Sequence, residues 1–559
     1  MAAAKELEIV TSQSVPGTPG AHEEHLPTEE EADAQAAAIA VPEDTGEGGK
    51  LKMIVTLVKR CFGVKDIASM RLSLPASLLE PIPNLEYWHY LDRPDLFAAI
   101  NDSPDAFERM LAVLRFTLSK DLRHIRGKPI KPYNSVLGEH FRSHWDVPPP
   151  SYSSNPAHPP ILHVHTTTPA ASAPASPVIP PHSATGTSTP TAGRTSRFGG
   201  MLSMRNWSTP TVEARGSPVE SIPSAQVSKL SLVSARSTSS TAPPASALEP
   251  VRIAFLTEQV SHHPPVSAFM AECPAKAITL SGVDQIAAKV TSTMNVRIGP
   301  GPLNKGVFIN IGEAAEHGAG EQYHITHPSA VVNGLLRGNL WVSMCESTVV
   351  KCSGGAGATQ LRAVLEYKEE GWLGKAQYAV EGVVFTYSED EDATVSEWTK
   401  VKHVPRERVI AELEGSWRGV LRWRRVNSPA ASNSSTSSGV SSSPNGDWHT
   451  LIDLGALDAV PMTVRPLEAQ LPNESRRLWQ PLTQRLLAKE YSDATKAKIA
   501  IEQKQRDDAA ARKAKGITFV PAYFDADYSS GRPQLTAEGR KALDEELKNQ
   551  DKDAAQAQA

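Results

Sequence analysis

At residues 258–265 the chain reads EQVSHHPP, in which two adjacent histidines are followed by two prolines. The preceding stretch, 251–256, is largely apolar and is typical of a β-strand. Because proline lacks an amide hydrogen and has a fixed φ, the prolines are expected to end strand pairing. His262 and His263 are therefore predicted to lie at the mouth of a strand and to point into the space that the sheet encloses. Paired imidazoles donate to phosphate oxygens and titrate near neutral pH, which suits an anionic head group better than a chemical reaction.

The histidine pair by itself is open to other interpretations. Both side chains could simply be partly buried and hydrogen-bonded at a sheet edge. A zinc site is disfavoured because neighbouring side chains of a strand diverge, and no His-Glu-x-x-His or Cys-x-x-Cys motif accompanies the pair. The sequence predicts neither a metal nor a cofactor.

The complete octapeptide matches the signature of the oxysterol-binding-protein family of lipid-transfer proteins. Residues 131–139, KPYNSVLGE, resemble the family's Lys-Pro-x-Asn-Pro-x-Leu-Gly-Glu element, with Ser135 in place of the usual proline. Shorter segments that begin at Leu79, Arg109, Gly382 and Leu467 also resemble the family and follow in the same order. The resemblance extends from about residue 51 to about residue 528 and is interrupted by two insertions.

Residue patterns in the region from 251 to 426 predict many short strands, separated by glycines and charged turns at the spacing of a meander or barrel. Helices are predicted over much of 83–122 and at 478–489 and 492–515. Together with the resemblance, these patterns predict an α+β fold with a large incomplete antiparallel β-barrel around a lipid tunnel, an N-terminal lid and flanking helices. The clearest strand candidates are 287–296, 306–311, 322–326, 340–344, 360–367, 378–387 and 416–423.

Composition divides the chain into one large domain and several low-complexity segments. Residues 1–48 are rich in alanine, glutamate, proline and threonine and are predicted to be a disordered acidic tail. The domain is predicted to span 49–540, and its helical segment at about 49–70 fits either a core helix or, as the resemblance implies, a lid over bound lipid. Disordered insertions are predicted at 148–247 and 427–445, and a disordered tail at 541–559.

The formal net charge of −5 argues against binding to nucleic acid by bulk charge. The four cysteines have no disulfide or zinc spacing, which fits a reduced compartment. The sequence shows no signal peptide and no apolar run of the roughly 18–20 residues that span a bilayer. We therefore expect a cytoplasmic monomer in peripheral contact with membranes; the resemblance implies contact sites of the endoplasmic reticulum with the plasma membrane or Golgi.

Lys498, Glu502 and Arg506 are spaced four residues apart and would share one face of a C-terminal helix. The spacing alone favours an ordinary solvated face with two weak ion pairs. The resembled family carries Lys-x-x-x-Glu-x-x-x-Arg on the matching helix, where it helps to hold the head of phosphatidylinositol 4-phosphate. By this resemblance, Glu502 would orient the cations or accept inositol hydroxyls, and the phosphates would bind to Lys131, His262, His263, Lys498 and Arg506.

The resemblance also implies exchange of phosphatidylinositol 4-phosphate for a second lipid, which is sterol in some members and phosphatidylserine in others. Tyr133 and the stretch 370–375 look more like the phosphatidylserine exchangers, and the Asn134 amide could bind the serine head group. We predict exchange of phosphatidylserine, with sterol as the alternative. A phosphoinositide sensor or scaffold without bulk transport is a further alternative. No nucleophile elbow or phosphate-cradling loop is recognisable, so the sequence does not predict an enzyme.

Overall fold

The computed structural model describes residues 55–56, 58–59, 61–64, 66–67, 76–123, 130–164, 249–334, 340–357, 359–370, 376–426 and 446–548. The predicted acidic tail 1–48, most of the predicted lid, residues 165–248 of the first insertion, the second insertion and residues 549–559 lie outside the described residues. No helix within the described ranges is both long enough and apolar enough to cross a bilayer.

A 15-stranded antiparallel sheet forms the body of the described structure. Its strands are β1 His140–Val147, β2 Val251–His262, β3 Pro265–Cys273, β4 Ile278–Asp284, β5 Ile286–Val290, β6 Val296–Pro300, β7 Val307–Ile311, β8 Glu321–Ile325, β9 Ser329–Asn333, β10 Trp341–Gly354, β11 Thr359–Tyr367, β12 Ala379–Ser388, β13 Val409–Ser416, β14 Val420–Arg425 and β15 His449–Asp453.

Most neighbouring strands of the sheet are consecutive in sequence. The main path runs β1-β2-β3-β4-β7-β8-β10-β11-β12-β13-β14-β15, while β5, β6 and β9 form a side branch that joins β10. The long β10 pairs with β9 through its first residues and with β8 and β11 further along. Because β1 and β15 end the path without pairing to each other, the sheet is not closed, and the predicted incomplete barrel architecture is confirmed.

Two of the predicted strands contain a turn, and strand β1 was not predicted. Residues 287–296 cover most of β5, the turn and the first residue of β6 rather than one strand, and Met294 takes a left-handed φ of 59° in the turn. Residues 416–423 likewise contain the turn between β13 and β14. Strand β1 escaped prediction because polar residues such as Arg142 and His144 are buried on it, which hides the alternation of apolar and polar positions.

Helices flank the sheet on the N-terminal and C-terminal sides of the chain. The predicted helical region 83–122 contains three helices; the second begins at Pro94, and Asp105 caps the third by accepting from the Glu108 amide. The α-helices are α1 Asn84–Tyr87, α2 Pro94–Ala98, α3 Ala106–Ser119, α4 Asp392–Val395, α5 Ser475–Leu487, α6 Tyr491–Ala514 and α7 Ala537–Leu547. Single 3₁₀ turns lie at Ala76–Leu78, Pro274–Lys276, Glu389–Glu391, Val401–His403, Arg406–Arg408, Leu454–Ala456 and Leu467–Ala469.

The largest hydrophobic cluster joins α2 and α3 to side chains from the sheet. Met110, Leu111 and Leu114 of α3 are fully buried in it, as the helical spacing predicts. The apolar strand positions Ile253 and Phe255 of β2 enter the same cluster. This core fixes β2, and with it the turn that carries the histidine pair.

Two predicted domain boundaries need correction. The first insertion does not begin at residue 148, because Ser151 and Ile161 form a β-bridge and the Tyr152 hydroxyl donates to Asp102 at 2.7 Å. The predicted disordered tail does not begin at residue 541, because α7 continues to Leu547. Leu543 is fully buried, and Glu546 is buried near Arg465 and His144.

The described part of the predicted lid attaches to the side branch of the sheet. Val58 and Cys61 are buried, whereas Phe62 is exposed. The Ala288 amide of β5 donates to the Asp66 carboxylate at 2.8 Å, and the Ile67 amide donates to the Ala288 carbonyl at 2.6 Å. The C-terminal end of the predicted lid segment is thus hydrogen-bonded to β5.

Candidate functional site

The segment that carries Lys131 and Asn134 is fixed by the residue between them, Tyr133. Its amide donates to the Ile82 carbonyl, and its ring is buried 5.1 Å from the ring of Trp479 on α5. The Tyr133 hydroxyl lies 3.0 Å from the hydroxyl of Thr483. Lys131 and Asn134 therefore flank an anchored aromatic residue and face α5 and α6.

Four predicted site residues line one narrow cleft between this segment and the C-terminal helices: Lys131, Asn134, Lys498 and Glu502. The cleft holds about 10 Å³ of free volume, roughly the space of one water molecule. Aliphatic and aromatic side chains complete its walls, namely Leu79, Tyr133, Trp479 and Leu482. Residues separated by some 370 positions in sequence thus converge because α6 packs against α5 and the 3₁₀ turn at Ala76–Leu78.

The cleft places two ammonium groups close together. The Lys131 ammonium donates to Asn134 Oδ1 at 2.6 Å, and the buried Lys498 ammonium lies 2.7 Å from a Glu502 oxygen. Burial, and secondarily the nearby charge of Lys498, lowers the pKa of Lys131 to about 8. An anion in the cleft would raise the pKa of Lys131 again, because it would place a negative charge beside the ammonium group.

His262 and His263 lie at the hairpin between β2 and β3. Their rings meet edge to face at an interplanar angle of 64°, with centroids 4.4 Å apart; His262 is half-buried and His263 is exposed. Strand β2 ends at His262, just before the prolines, as predicted; Pro265 then opens β3 opposite His262, and the chain reverses between them. The histidines and the two prolines all lie at this hairpin tip, where the absence of a proline amide hydrogen is tolerated.

The histidine strand and the segment 131–139 are hydrogen-bonded to each other. The Gly138 amide donates to the Gln259 carbonyl at 3.0 Å, and the Gln259 amide donates to the Glu139 carbonyl at 2.8 Å. The two motifs, separated by the first insertion in sequence, are thus neighbours in the fold. The histidines are not among the residues that line the cleft.

Arg506 is a further predicted site residue that does not line the cleft. It is exposed on α6, two turns beyond Lys498, and donates to Gln503 at 3.3 Å. The i,i+4 spacing does place it on the helix face of Glu502, but that face leaves the cleft before Arg506 is reached.

Glu139 is a buried residue to which the sequence assigned no role beyond its place in the motif at 131–139. Its carboxylate accepts hydrogen bonds from the Ser475 hydroxyl, the Trp479 indole and the Val136 amide at 2.7–2.9 Å. Burial raises the pKa of Glu139 to about 7, although these donors act in the opposite direction. Glu139 thereby connects the lysine segment to the start of α5.

Glu258, the first residue of the octapeptide, also binds backbone. Its two carboxylate oxygens accept from the amides of Ala522 and Tyr523, each at 2.8 Å, and burial raises its pKa. This contact holds the chain that follows α6 against β2. These two hydrogen bonds explain why an acidic residue lies in a largely buried strand, and no catalytic role is needed.

The matched family model is named "Oxysterol-binding protein" and covers residues 53–179 and 245–546. The chain belongs to the oxysterol-binding protein family. It is 39% identical over 536 residues to oxysterol-binding protein-like protein 1 of Schizosaccharomyces pombe, an alignment that covers 90% of this chain and 92% of that protein. Human oxysterol-binding protein-related protein 10 is 24% identical over 456 residues, which are 81% of this chain and 44% of that longer protein.

Solved structures with the same fold come from this family. The Osh1 ORD domain in complex with cholesterol superposes with a TM-score of 0.52 at 17% identity, covering 91% of each chain. The Osh1 ORD domain in complex with ergosterol gives a TM-score of 0.50 at 18% identity, covering 87% of each chain. Structural similarity at identities this low shows the fold of this chain but not its ligand.

Some lining residues of the cleft were not predicted. Trp479 and Leu482 belong to an apolar stripe on α5 that continues to Leu486, and this spacing of three to four residues was the available signal. Among the described residues there is no group of three or more histidine, cysteine, aspartate or glutamate side chains placed to hold a metal ion.

Proposed function

We propose that this member of the oxysterol-binding protein family is a lipid-transfer protein that binds phosphatidylinositol 4-phosphate and exchanges it for phosphatidylserine between membranes. The observation that carries the proposal is the convergence of Lys131, Asn134, Lys498 and Glu502 on one cleft. Such a cleft offers two ammonium groups to a phosphate and an amide and a carboxylate to hydroxyls. The proposal is for binding and transport, not catalysis.

The side-chain contacts within the cleft indicate how a phosphate would enter. The oxygen atoms of Asn134 and Glu502 occupy the positions that phosphate oxygens would take beside the two ammonium groups. Because the free volume is only about 10 Å³, the head group requires these side chains to turn outward. A charged phosphate oxygen accepts a stronger hydrogen bond from the Lys131 ammonium than the uncharged Asn134 amide oxygen does, which favours the exchange of partners.

His262 and His263 are proposed to contribute from the adjacent hairpin, to which the lysine segment is hydrogen-bonded. Their partial exposure leaves the imidazoles accessible to a head group at the mouth of the site. Arg506 is proposed to contact the phosphate only after its exposed side chain reorients.

Phosphatidylserine is proposed as the counter-lipid from the sequence variant around Tyr133 and Asn134. Tyr133 itself is buried and hydrogen-bonded, so it supports the shape of the segment, while the exposed Asn134 is the group available to a serine head. The other stretch that motivated this choice, 370–375, is described only at Glu370.

Sterol is a second candidate, favoured by the cholesterol and ergosterol complexes of the Osh1 domain, which has the same fold. An apolar tunnel suits either a sterol or acyl chains, so the fold does not select between them.

The test is native mass spectrometry of lipids that co-purify with the full chain from a eukaryotic cell. We expect phosphatidylinositol 4-phosphate and phosphatidylserine. Sterol in place of phosphatidylserine would establish the second candidate, and the absence of bound lipid would contradict both. Vesicle-to-vesicle transfer assays then separate exchange from a sensor or scaffold, which would bind without transporting.

Matched variants connect this test to the site. Lys498→Ala, and His262→Ala combined with His263→Ala, should remove phosphatidylinositol 4-phosphate without unfolding the protein. Lys504→Ala on the same helix is the control, because Lys504 is exposed and pairs with Asp508. A double histidine variant that loses thermal stability would instead assign the pair a structural role.

A further inference from the structure

The end of α6 and the loop after it present apolar side chains to solvent. Ile517 is 55% exposed and Val520 is 71% exposed, which makes Val520 the most exposed large apolar residue in the described chain. Exposed apolar residues are common singly, but these two lie in one short loop. Pro521, directly after them, is buried again.

The helix end projects this loop outward. Gly516 has a φ of +64°; its amide donates to the Lys513 carbonyl, and the Ile517 amide donates to the Arg512 carbonyl at 3.0 Å. This is the Schellman arrangement, in which the residue after the glycine usually packs on an apolar side chain in the last turn. Here the position is Arg512, so Ile517 is left in solvent.

The loop packs against the rest of the protein through Phe519 and through the backbone that follows it, although Ile517 and Val520 are exposed. The ring of Phe519, between the exposed residues, packs against Gly138, where an added Cβ would lie 3.4 Å from the ring. The following backbone is bound by the Glu258 carboxylate through the amides of Ala522 and Tyr523. Gly138 in turn is hydrogen-bonded to Gln259 of the histidine strand, so the loop borders the candidate lipid site.

Positively charged side chains precede the exposed apolar residues in the chain. Between residues 509 and 524 the sequence carries Arg512, Lys513 and Lys515 and no acidic residue, although the whole chain has a net charge of −5. Cations beside exposed aliphatic side chains are complementary to the anionic head groups and acyl boundary of a membrane surface. A protein partner with an apolar pocket would not require the three cations.

We propose that residues 516–520, together with the cations of the last turn of α6, form the docking surface by which this protein contacts an anionic membrane. Ile517 and Val520 enter the acyl boundary, and Arg512, Lys513 and Lys515 lie at the head groups. The inference rests on the proposed function, because it places the opening of the lipid site against the membrane from which lipid is taken.

The test is a fluorescent probe at the loop. The four cysteines of the chain are buried, so a cysteine introduced by Val520→Cys takes an environment-sensitive nitrobenzoxadiazole label selectively. The full chain is mixed with vesicles of phosphatidylcholine alone or with a minority of phosphatidylglycerol, an anionic lipid that is not a proposed ligand. Ile161→Cys is the matched control, because Ile161 is also 55% exposed but lies outside the loop.

We expect the emission of the loop probe to shift to the blue with anionic vesicles and that of the control probe to stay unchanged. Ile517→Ser with Val520→Ser should weaken partitioning about tenfold, and Lys513→Glu with Lys515→Glu should reduce it to the level seen with phosphatidylcholine alone. Equal shifts at both probes, no shift at either, or a concentration-dependent shift without vesicles, which signals self-association, would overturn the inference.

These outcomes are separable from failure of the proposed function. If the protein is not a lipid exchanger, native mass spectrometry finds no lipid while the loop probe still responds to anionic vesicles. If only the docking surface is misassigned, lipid co-purifies and transfers normally in the Ile517→Ser, Val520→Ser variant.

Discussion

At the scale of single residues, Lys131 is a cleft residue whose pKa is shifted towards neutral pH. Burial and Lys498 lower its pKa to about 8, so above that pH the free protein holds Lys131 mostly neutral. A bound phosphate favours the charged form and raises the pKa again. Binding above pH 8 must therefore take up a proton.

The affinity for short-chain phosphatidylinositol 4-phosphate is predicted to be highest below about pH 8 and to fall as the pH rises above 8, by at most about tenfold per pH unit. Lys131→Arg should flatten this dependence, because guanidinium stays charged throughout the range. Titration calorimetry at about pH 7.5, 8.5 and 9.5, on both sides of the pKa, measures the affinity of each protein. An identical slope in both proteins would contradict a role for Lys131 in phosphate binding.

The sequence named four residues that the structure brings to one cleft and three that it does not, namely Arg506 and the two histidines of the adjacent hairpin. Helical spacing places Lys498, Glu502 and Arg506 on one face, but spacing cannot say where along that face a neighbouring segment makes contact. The packing of α6 on Tyr133 and Trp479 decides that the cleft includes Lys498 and Glu502 and ends before Arg506.

At the scale of elements, α7 shows why the C-terminal boundary was misjudged. The segment is short and rich in charge, which is typical of a frayed tail. Its apolar side chains Ala542 and Leu543 are nevertheless buried with Ala254 and Leu256 of β2, and Glu546 is buried near Arg465 and Arg142. From the sequence alone, a buried charged residue cannot be distinguished from a solvated one unless its partners are known.

Leu543→Ala is predicted to destabilise the protein by about 2–5 kcal/mol, because a fully buried leucine leaves a cavity between α7 and β2. Urea unfolding followed by tryptophan fluorescence measures the change. Lys541→Ala, at an exposed position of the same helix, is the control and should change stability by less than about 0.5 kcal/mol. Equal small effects from both substitutions would mean that α7 frays in solution.

At the scale of the whole molecule, Glu139 connects parts of the fold that are remote in sequence. It receives hydrogen bonds from Ser475 and Trp479 of α5, and its backbone carbonyl pairs with Gln259 of β2. Burial raises the pKa of this carboxyl from 4.5 to about 7. The folded state therefore binds the proton more tightly than the unfolded chain between these values.

Because the folded-state pKa is raised, the contribution of Glu139 to stability is greatest at low pH and is lost as the pH rises from about 4.5 to about 7. Glu139→Gln should remove that loss, so wild type should weaken relative to the variant by at most about 3 kcal/mol between pH 4.5 and 7.5. Urea unfolding at both pH values measures the difference. The exposed Glu80→Gln is the control, and a variant that weakens in parallel with wild type would exclude the titration of Glu139 as the cause.

The sequence by itself determined the family, the antiparallel strand-rich body and the residue types of the candidate site. These follow from local information: a specific octapeptide, the alternation of apolar residues and fixed helical spacing. Only the tertiary structure decided that Lys131 and Lys498 share a cleft, that Glu258 and Glu139 bind backbone and side-chain donors, that α7 is buried, and that the loop after Gly516 is exposed. Each of these depends on contacts between residues hundreds of positions apart, and burial, which sets the pKa of a charged group and the cost of exposing an apolar one, is a property of such contacts.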